Sequence, residues 1–437
     1  MVGMPEATIK QIQSWGVVGA GGAGFPTHVK LGAKAETIIL NAAECEPLLH
    51  KDKEMLRAYP DEIIDGLQQA RRLVGAAEAV IGIKYKYHDV IELLGKKLPA
   101  GMRIAELADN YPSGDEFILV YDVTGKVIPP GKIPLAVNVV VINVETAYNV
   151  AKGVPVTKKY LTVAGAVANP VTMAVPVGTT FAEAIRRAGG ATVSHPAVLV
   201  GGVMMGRLAA DLDEPITKTT GGLIVLPRDH KLIQRYSLNW SAISRIGASA
   251  CDQCSFCTEM CPRYLLGHPI EPHKAMRSLV FSHTGESSTI GTLFCCECNL
   301  CTMIACPEDL DPKNVCTQNK RRLNADGRKW EVAAVLSRPR TLLNNRRAPL
   351  SRLIRKLGLF NYENKGPLIE DSYQPRHVTL PLKQHVGVPA DPVVKTGDKV
   401  KAGDLVAQPP EGKLGSPIHA SIAGKVSVGK DAIVIEA

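Results

Sequence analysis

Along the first 155 residues, short β-branched runs alternate with stretches of helical spacing. Thr37-Ile38-Ile39-Leu40 reads as a strand. Asp61 to Val74 places Ile63, Ile64 and Leu67 at helical intervals, with Pro60 just before and Gly75 just after. Ala79 to Ile83 reads as a strand and His88 to Leu98 as a helix. Phe117 to Val123 and Val137 to Ile142 predict two more strands, and Glu145 to Lys152 a further helix. Strands alternating with helices predict a layered sheet with helices against it.

From about Thr157 to Pro227 the pattern changes. Lys159 to Gly165 alternates as a strand does, Phe181 to Ala188 is a short helix stopped by Gly189-Gly190, and Ala197 to Gly202 and Gly222 to Leu226 are strands. This is a small module of strands and one helix. Between Leu336 and Phe360 stand Arg338, Arg340, Arg346, Arg347, Arg352, Arg355 and Lys356 with no acid. Leu350, Leu353, Ile354 and Leu357 follow the i, i+3, i+4, i+7 rule, so a basic amphipathic helix is predicted, packing its leucine stripe on the cysteine-rich segment. The last 60 residues are short strands broken by Gly and Pro: Gly387 to Pro389, Val393 to Asp398, Ala402 to Val406, Ile418 to Ala420 and Gly424 to Val426. Such spacing predicts a small all-β barrel or sandwich.

Composition narrows the function classes. The chain has 437 residues, 45% of them apolar, enough for about three domains with real cores. No apolar run approaches the roughly 18 residues of a membrane span. Met1 to Glu6 lacks a basic and an apolar region, which predicts no secretory signal. The net charge of +9 would suit nucleic acid, but aromatics are 5% and no stacking platform lies among basic residues, so no nucleic-acid partner is expected.

Of the 11 cysteines, ten lie between Cys251 and Cys316. A disulfide framework would spread them through a short secreted chain, so the reading is a reduced, cytoplasmic, metal-bearing protein. Cys251-x2-Cys254-x2-Cys257-x3-Cys261-Pro262 is the bacterial ferredoxin run, in which the fourth cysteine serves the other of two clusters. After 33 intervening residues comes Cys295-x2-Cys298-x2-Cys301-x4-Cys306-Pro307, with one extra residue before its last cysteine. The spacing assigns one [4Fe-4S] cluster to Cys251, Cys254, Cys257 and Cys306, and the other to Cys295, Cys298, Cys301 and Cys261. The extra residue leaves Cys316 open as an alternative to Cys306. Cys296 reads as a neighbour and Cys316 as buried packing. Zinc sites use two pairs of ligands rather than two runs each closed by Cys-Pro. His268, His273 and His283 show no metal-like pairing.

Gly19-Ala20-Gly21-Gly22-Ala23-Gly24 matches G-x-G-x-x-G, yet Gln11 to Gly16 is a poor strand before it and Phe25-Pro26-Thr27 a poor helix interior after it. An ordinary Rossmann site is not expected. The glycines still let backbone N–H groups approach a phosphate or a flat ring.

Three motifs carry a resemblance. Gly21 to Thr27 followed by Lys30 resembles the flavin loop of the NADH-binding flavoprotein subunit of respiratory complex I. Asn41-Ala42-Ala43-Glu44-Cys45-Glu46-Pro47 is similar to that family's second flavin motif, with Ala43 where an Asp is usual. Asn143-Val144-Glu145-Thr146 matches the third. Two ferredoxin runs, with the β module last, resemble the C subunit of the Rnf complex in permuted order, and most closely the Rnf C-like cobalamin reductases of propanediol-utilisation microcompartments. The resemblance implies an FMN/NADH-binding α/β domain (1–155), an SLBB-like β-grasp module (156–230), an α-helical two-[4Fe-4S] ferredoxin-like domain (235–325), a basic helical linker (326–375) and a barrel-sandwich module of the biotinyl/lipoyl kind (376–437). It implies FMN against Gly21, Gly22, Gly24, Lys30, Asn41, Glu44, Gly114, Asn143 and Thr146, and NADH near Phe25, Glu46 and Ser113-Gly114-Asp115-Glu116. Ala43 removes a carboxylate from the flavin site, and no aromatic follows Lys30 as in complex I. Cys45 reads as a small buried residue, and Lys413 lacks the flanks of a lipoylated lysine, so the β module reads as a docking surface. The activity implied is an NADH-dependent oxidoreductase reducing cobalamin inside a bacterial microcompartment, with a corrinoid-binding partner such as an adenosyltransferase and with shell proteins nearby. The alternatives are an Rnf-type enzyme recycling NAD with a quinone or ferredoxin, and a shell-docking scaffold whose clusters are structural.

Overall fold

The computed structural model describes residues 7–280, 288–330, 338–370 and 373–437. Met1 to Glu6, His283 and Leu336 lie outside the described residues.

The first domain runs α1 (Ile9–Ser14), α2 (Thr27–Leu31), β1 (Thr37–Ala42), α3 (Lys51–Ala58), α4 (Pro60–Val74), β2 (Glu78–Lys84), α5 (His88–Gly95), β3 (Met102–Leu107), β4 (Asn110–Tyr111), α6 (Glu116–Thr124), β5 (Val139–Asn143) and α7 (Val144–Lys152). Four of the strands make one parallel sheet in the order β3-β2-β1-β5. A parallel sheet is covered on both faces. Leu40, Ile81 and Val140 pack with Ile63, Leu67 and Ala147 on one side, and Ile39, Val80 and Val141 with Leu119 and Val120 on the other. A Cβ at Gly66 would lie 1.9 Å from the Ala147 carbonyl oxygen, so α4 and α7 cross too closely for a side chain there.

The stretch Phe117 to Val123, expected as a strand, is helix α6. Its apolar run has no period that separates strand from helix. The deciding residues flank it: the Asp115 carboxylate accepts from the Phe117 and Ile118 N–H groups, and Gly125 closes the end at φ +70°. Phe117 to Val120 is a continuous apolar stretch because the sheet lies on one side and Leu265 and Leu266 on the other, while Asp122 pairs with Arg347. Strand β3 had no distinct signal in the sequence.

The second module comprises β6 (Lys158–Gly165), β7 (Val171–Pro176), α8 (Phe181–Arg187), β8 (Pro196–Val200), β9 (Arg207–Leu208) and β10 (Gly222–Pro227). Phe181, Ala184 and Ile185 of α8 pack on its sheet. The cysteine segment has mostly short helices: α9 (Lys231–Tyr236), α10 (Trp240–Ala250), α11 (Phe256–Glu259), α12 (Pro262–Leu265), α13 (Pro272–Arg277) and α14 (Pro312–Ala325). Next come β11 (Ala348–Pro349), α15 (Leu350–Lys356) and β12 (Leu368–Ile369). This stretch is more than a helical connection, since β11 pairs with β4 and β12 with β7. Leu350 and Leu353 of α15, with Leu357 just after it, share a core with Leu48, Leu199 and Leu300, which binds the first, second and cysteine segments together.

The last module packs two small sheets. One contains β13 (His377–Pro381), β15 (Lys399–Val400), β18 (Gly424–Val428) and β19 (Ala432–Glu436); the other contains β14 (Asp391–Pro392), β16 (Leu405–Gln408) and β17 (Ile418–His419). Gly387 to Pro389 and Val393 to Asp398, expected as strands, are irregular and turn structure. The Asp398 carboxylate accepts from the Lys395 N–H at 2.7 Å, and Asp404 repeats this with Lys401 at 2.7 Å, so each Lys-x-Gly-Asp closes a turn. Among the described residues no helix is long and apolar enough to cross a membrane.

Candidate functional site

In the first sheet the chain leaves β1 toward β2 on one side and returns to β5 on the other. Ligands of open α/β sheets bind beyond the carboxyl ends of the strands at such a reversal. Asn41 and Asn143 are register partners there. The glycine loop between α1 and α2 lies against this point. A Cβ on Gly21 would stand 2.9 Å from Asn143 Nδ2, while one on Gly22 would meet nothing within 4 Å. The loop is thus backed on one side and open on the other, a cradle for a flat or phosphorylated group.

The cradle is anchored from below. The Ala20 N–H donates to Thr146 Oγ1 at 3.0 Å, and the Ala20 carbonyl accepts from Lys159 Nζ at 3.3 Å. The Val386 N–H of the last module donates to the Ala23 carbonyl at 2.9 Å. Gly24, at φ +73°, sits where Thr219 and His385 leave no room for a side chain.

Beneath the loop lies a buried charge network with little signal in the sequence. Lys51 Nζ pairs with Asp52 at 2.8 Å and Glu145 at 3.0 Å, and Lys159 Nζ pairs with Glu145 at 2.5 Å. Asn143 caps α7, accepts from Lys51, and donates to Asp52 Oδ2 at 2.8 Å. Burial alone would raise the Glu145 carboxyl, but Lys159 and Lys51 hold it below the ordinary carboxylate range. The available signal was a lysine, Lys159, inside an otherwise apolar strand.

The remaining motif residues ring this centre. Asn41 Nδ2 donates to the Gly114 carbonyl at 2.8 Å, and its Oδ1 accepts from the Ala43 N–H at 3.2 Å. Lys30 Nζ donates to the Val141 carbonyl at 2.9 Å and pairs with Glu116 at 3.0 Å. Glu44 accepts from the Asp52 N–H at 3.2 Å; burial, then the Asp52 charge, push its carboxyl up to about 8. Burial pushes the Cys45 thiol up to about 12. Phe25 is exposed. Glu46 turns toward the second module, accepting from the Met204 and Met205 N–H groups at 2.9 and 2.8 Å, and burial pushes it up to about 7. Asp115 caps α6 and pairs with Arg263 at 2.9 Å.

The two cysteine runs share one backbone shape. Gln253 and Ser255 have φ of 61° and 63°, and Glu297 and Asn299 have 61° and 67°, at matching places between the thiols. Left-handed conformations cost non-glycine residues about 1–2 kcal/mol each, and they recur where a bound group dictates the turn. Cys257 lies in the electrostatic reach of Cys251, Cys254 and Cys306. Cys261, Cys295, Cys296, Cys298, Cys301 and Cys316 line a common cavity. Among the described residues no three His, Cys, Asp or Glu side chains converge as one mononuclear ion would require. Cys316, fully buried on α14, lies beside Cys295, and Cys296 beside Cys298. Thiols set around a cavity, on turns that hold them inward, fit an iron–sulfur cube.

The two centres touch. The Tyr111 hydroxyl, fully buried, donates to the Cys298 carbonyl at 2.7 Å, and Arg263 joins Asp115 while lying 3.5 Å over the Phe117 ring.

Four family models match the chain: the Nuo51 FMN-binding domain over residues 12–152, the SLBB domain over 160–208, a 4Fe-4S dicluster domain over 250–311 and the RnfC barrel sandwich hybrid domain over 361–435. The chain is 43% identical over 423 residues to the protein named cobalamin reductase PduS of Citrobacter freundii, covering 96% of this chain and 93% of that one. It is 42% identical over 432 residues to the protein of the same name from Salmonella typhimurium, covering 98% and 95%. Its fold is similar to a chain in the crystal structure of an NAD+-reducing [NiFe]-hydrogenase in the H2-reduced state, with a TM-score of 0.50 and 20% identity over 77% of this chain and 69% of that one.

Proposed function

The chain belongs to the cobalamin reductase PduS family, and from that membership we propose that it takes electrons from NADH and delivers them to a corrinoid. FMN, when bound, accepts the hydride of NADH as an electron pair, and two [4Fe-4S] clusters accept electrons singly.

The chain's own residues supply binding, orientation and shielding. We assign FMN to Gly21, Gly22, Gly24, Lys30, Asn41, Glu44, Gly114, Asn143 and Thr146. Thr146 and Lys159 hold the loop through Ala20, so that its N–H groups are presented without prior rearrangement. We assign the nicotinamide side to Phe25, Glu46 and the Gly114-Asp115-Glu116 turn, where Asp115 acts by fixing α6 and Glu116 by orienting Lys30. We assign the clusters to Cys251, Cys254, Cys257 and Cys306, and to Cys261, Cys295, Cys298 and Cys301. The proposed domain limits are 1–155, 156–230, 235–325, 326–375 and 376–437. The exposed Arg352, Arg355 and Lys356 of α15 suit an acidic partner. A corrinoid-binding adenosyltransferase partner, and a location among microcompartment shell proteins, are part of the same proposal and rest on the resemblance of the sequence motifs alone.

The observation that carries the reading is the direct contact of the Asn41–Asn143 crevice's flanking loop with a cysteine run, through Tyr111 and Asp115. The test is anaerobic. Reconstituted protein mixed with NADH bleaches its flavin absorbance and reduces added cob(III)alamin. Bleaching with no corrinoid reduction, but with transfer to a quinone or ferredoxin, favours the second reading, an Rnf-type oxidoreductase, which the RnfC barrel match supports. No absorbance change at all leaves a scaffold.

A further inference from the structure

Arg263 follows Cys261-Pro262 and is buried. Its Nη2 pairs with Asp115 at 2.9 Å and its plane lies over Phe117. Its Nη1 is buried with no hydrogen-bond partner among the described residues. Besides Asp115, the ionisable groups within its reach are the thiols of Cys296, Cys298 and Cys261. The Asp115 carboxylate is itself shared, since its Oδ1 caps the Phe117 and Ile118 N–H groups. A guanidinium cannot shed its charge by deprotonation, so burial here leaves a permanent, incompletely neutralised cation beside one of the two thiol sets.

We propose that Arg263 is a positioning residue that raises the reduction potential of the cluster held by Cys261, Cys295, Cys298 and Cys301, the one in contact with the flavin-motif loop. The proposal rests on the dicluster reading above. Reduction adds one electron and makes the cluster more negative by one charge. NADH supplies that electron in the enzyme and dithionite supplies it in the test, and no proton need move. A nearby cation in a medium of low dielectric stabilises the added charge, and net charge and hydrogen bonds to the sulfurs are the levers that set such potentials. The clamp on Asp115 keeps the guanidinium in place and ties this thiol set to the turn that carries Gly114.

The test is an anaerobic redox titration of the full holoprotein with dithionite and mediators, followed by electron paramagnetic resonance. Arg263→Gln keeps an amide for Asp115 but removes the charge. It is expected to make one of the two cluster signals about tenfold harder to reduce, about 59 mV for one electron, and to leave the other unmoved. Arg263→Lys restores most of the shift. Asp115→Asn, which frees the cation of its counter-charge, moves the same signal upward. A role confined to packing would leave both midpoints where they were or move them together, and either result overturns the proposal. If Arg263→Gln fails to assemble its cluster, the double variant Arg263→Gln/Asp115→Asn, which leaves no buried unpaired carboxylate, decides against Asp115→Asn alone: a lower midpoint in the double variant upholds the proposal and an equal one ends it. Wild-type protein with no cluster signal would sink the dicluster reading itself, whereas two normal signals that ignore these substitutions sink only the role of Arg263.

Discussion

The flavin-motif domain and the cysteine segment are neighbours held in shape by different forces. The first has a parallel sheet buried on both faces, with Ile38, Leu40 and Ile81 among many fully buried side chains. Apolar burial at about 25 cal/mol per Å² is enough to order such a domain. Between Cys251 and Cys295 the described helices of the cysteine segment have only four to six residues, Phe256–Glu259, Pro262–Leu265 and Pro272–Arg277. Such helices are far too short to stand in isolation. Its own core is small, with Ile243, Met276, Leu310 and Val315 packed beside Cys306 and Cys316, and Gln253, Ser255, Glu297 and Asn299 stand in left-handed conformations within its two Cys-x2-Cys-x2-Cys runs. The difference teaches that the first domain is built to receive its ligand, whereas the second is built around it.

The largest predicted effect breaks the two apart. Chelating iron from anaerobic holoprotein is expected to unfold residues 250–311 while leaving the first sheet intact, because metal binding energy in such segments is folding energy. Hydrogen exchange read by mass spectrometry checks this: protection is lost across the thiol runs and kept in β1, β2 and β5. Equal loss in both regions would mean that the cysteine segment and the sheet form one cooperative unit through the shared core of Leu48, Leu300 and Leu353.

The next effect lies inside the first domain. Glu145 is the anion between Lys51 and Lys159, all three buried. Glu145→Gln leaves two buried ammonium groups with only Asp52 between them. Removing one partner of a buried ion pair typically costs about 3–5 kcal/mol. Urea denaturation followed by a probe in the first domain should show that loss, and FMN affinity should fall with it because Lys159 no longer braces Ala20. The cluster signals should persist. A variant that loses its clusters first and keeps its flavin would reverse the assignment of these residues.

The same contrast explains what the sequence disclosed. Thiol ligands on one tight turn are close in sequence because they are close in space, so Cys251, Cys254 and Cys257, and Cys295, Cys298 and Cys301, stand out without a fold. The crossed assignment of Cys306 and Cys261 is proposed from the Cys-Pro endings. The crevice residues come from loops and strand ends as far apart as Gly21, Asn41, Gly114 and Asn143. Their convergence exists only once β1 and β5 are paired, and three motifs in order gave the residues but not the geometry. Lys51, Asp52 and Lys159 were missed because burial of a charge is decided by the far side of the chain. The α6 stretch was misread for the opposite reason: its burial on both sides erased the period, and only Asp115 and Gly125 mark it as a helix. Val393 to Asp398 misled because two valines suggest a strand while the Asp398 side chain closes the turn.

The smallest effect sharpens the comparison through pH. Buried ionisable groups of the first domain and its joints titrate near neutrality, while the cysteine segment depends on metal. Lys218 is the clearest case. It is buried, without a carboxylate partner among the described residues, and donates to the Gly16 carbonyl at 2.8 Å and the Pro417 carbonyl at 2.7 Å, joining the first, second and last modules. Burial pulls its ammonium down to about 7. The neighbouring His419 and His385 are also lowered by burial, so they stay neutral in the range concerned. Between pH 7 and the ordinary lysine value, the unfolded chain binds more protons at this site than the folded one, so stability rises with pH across that window. Glu46, pushed up to about 7, acts in the reverse sense: the folded chain binds more protons between the ordinary glutamate value and 7, and stability falls as pH rises there. Melting temperatures taken from pH 7 to 9.5 should therefore climb for the native chain by a few degrees and climb less steeply for Lys218→Met, in which Lys159, pulled down to about 8 by burial, still titrates in the same sense. The climb should survive iron chelation, because the joint lies outside the thiol runs. A slope that disappears with the iron would assign the titration to the cluster segment and erase the division between the two regions.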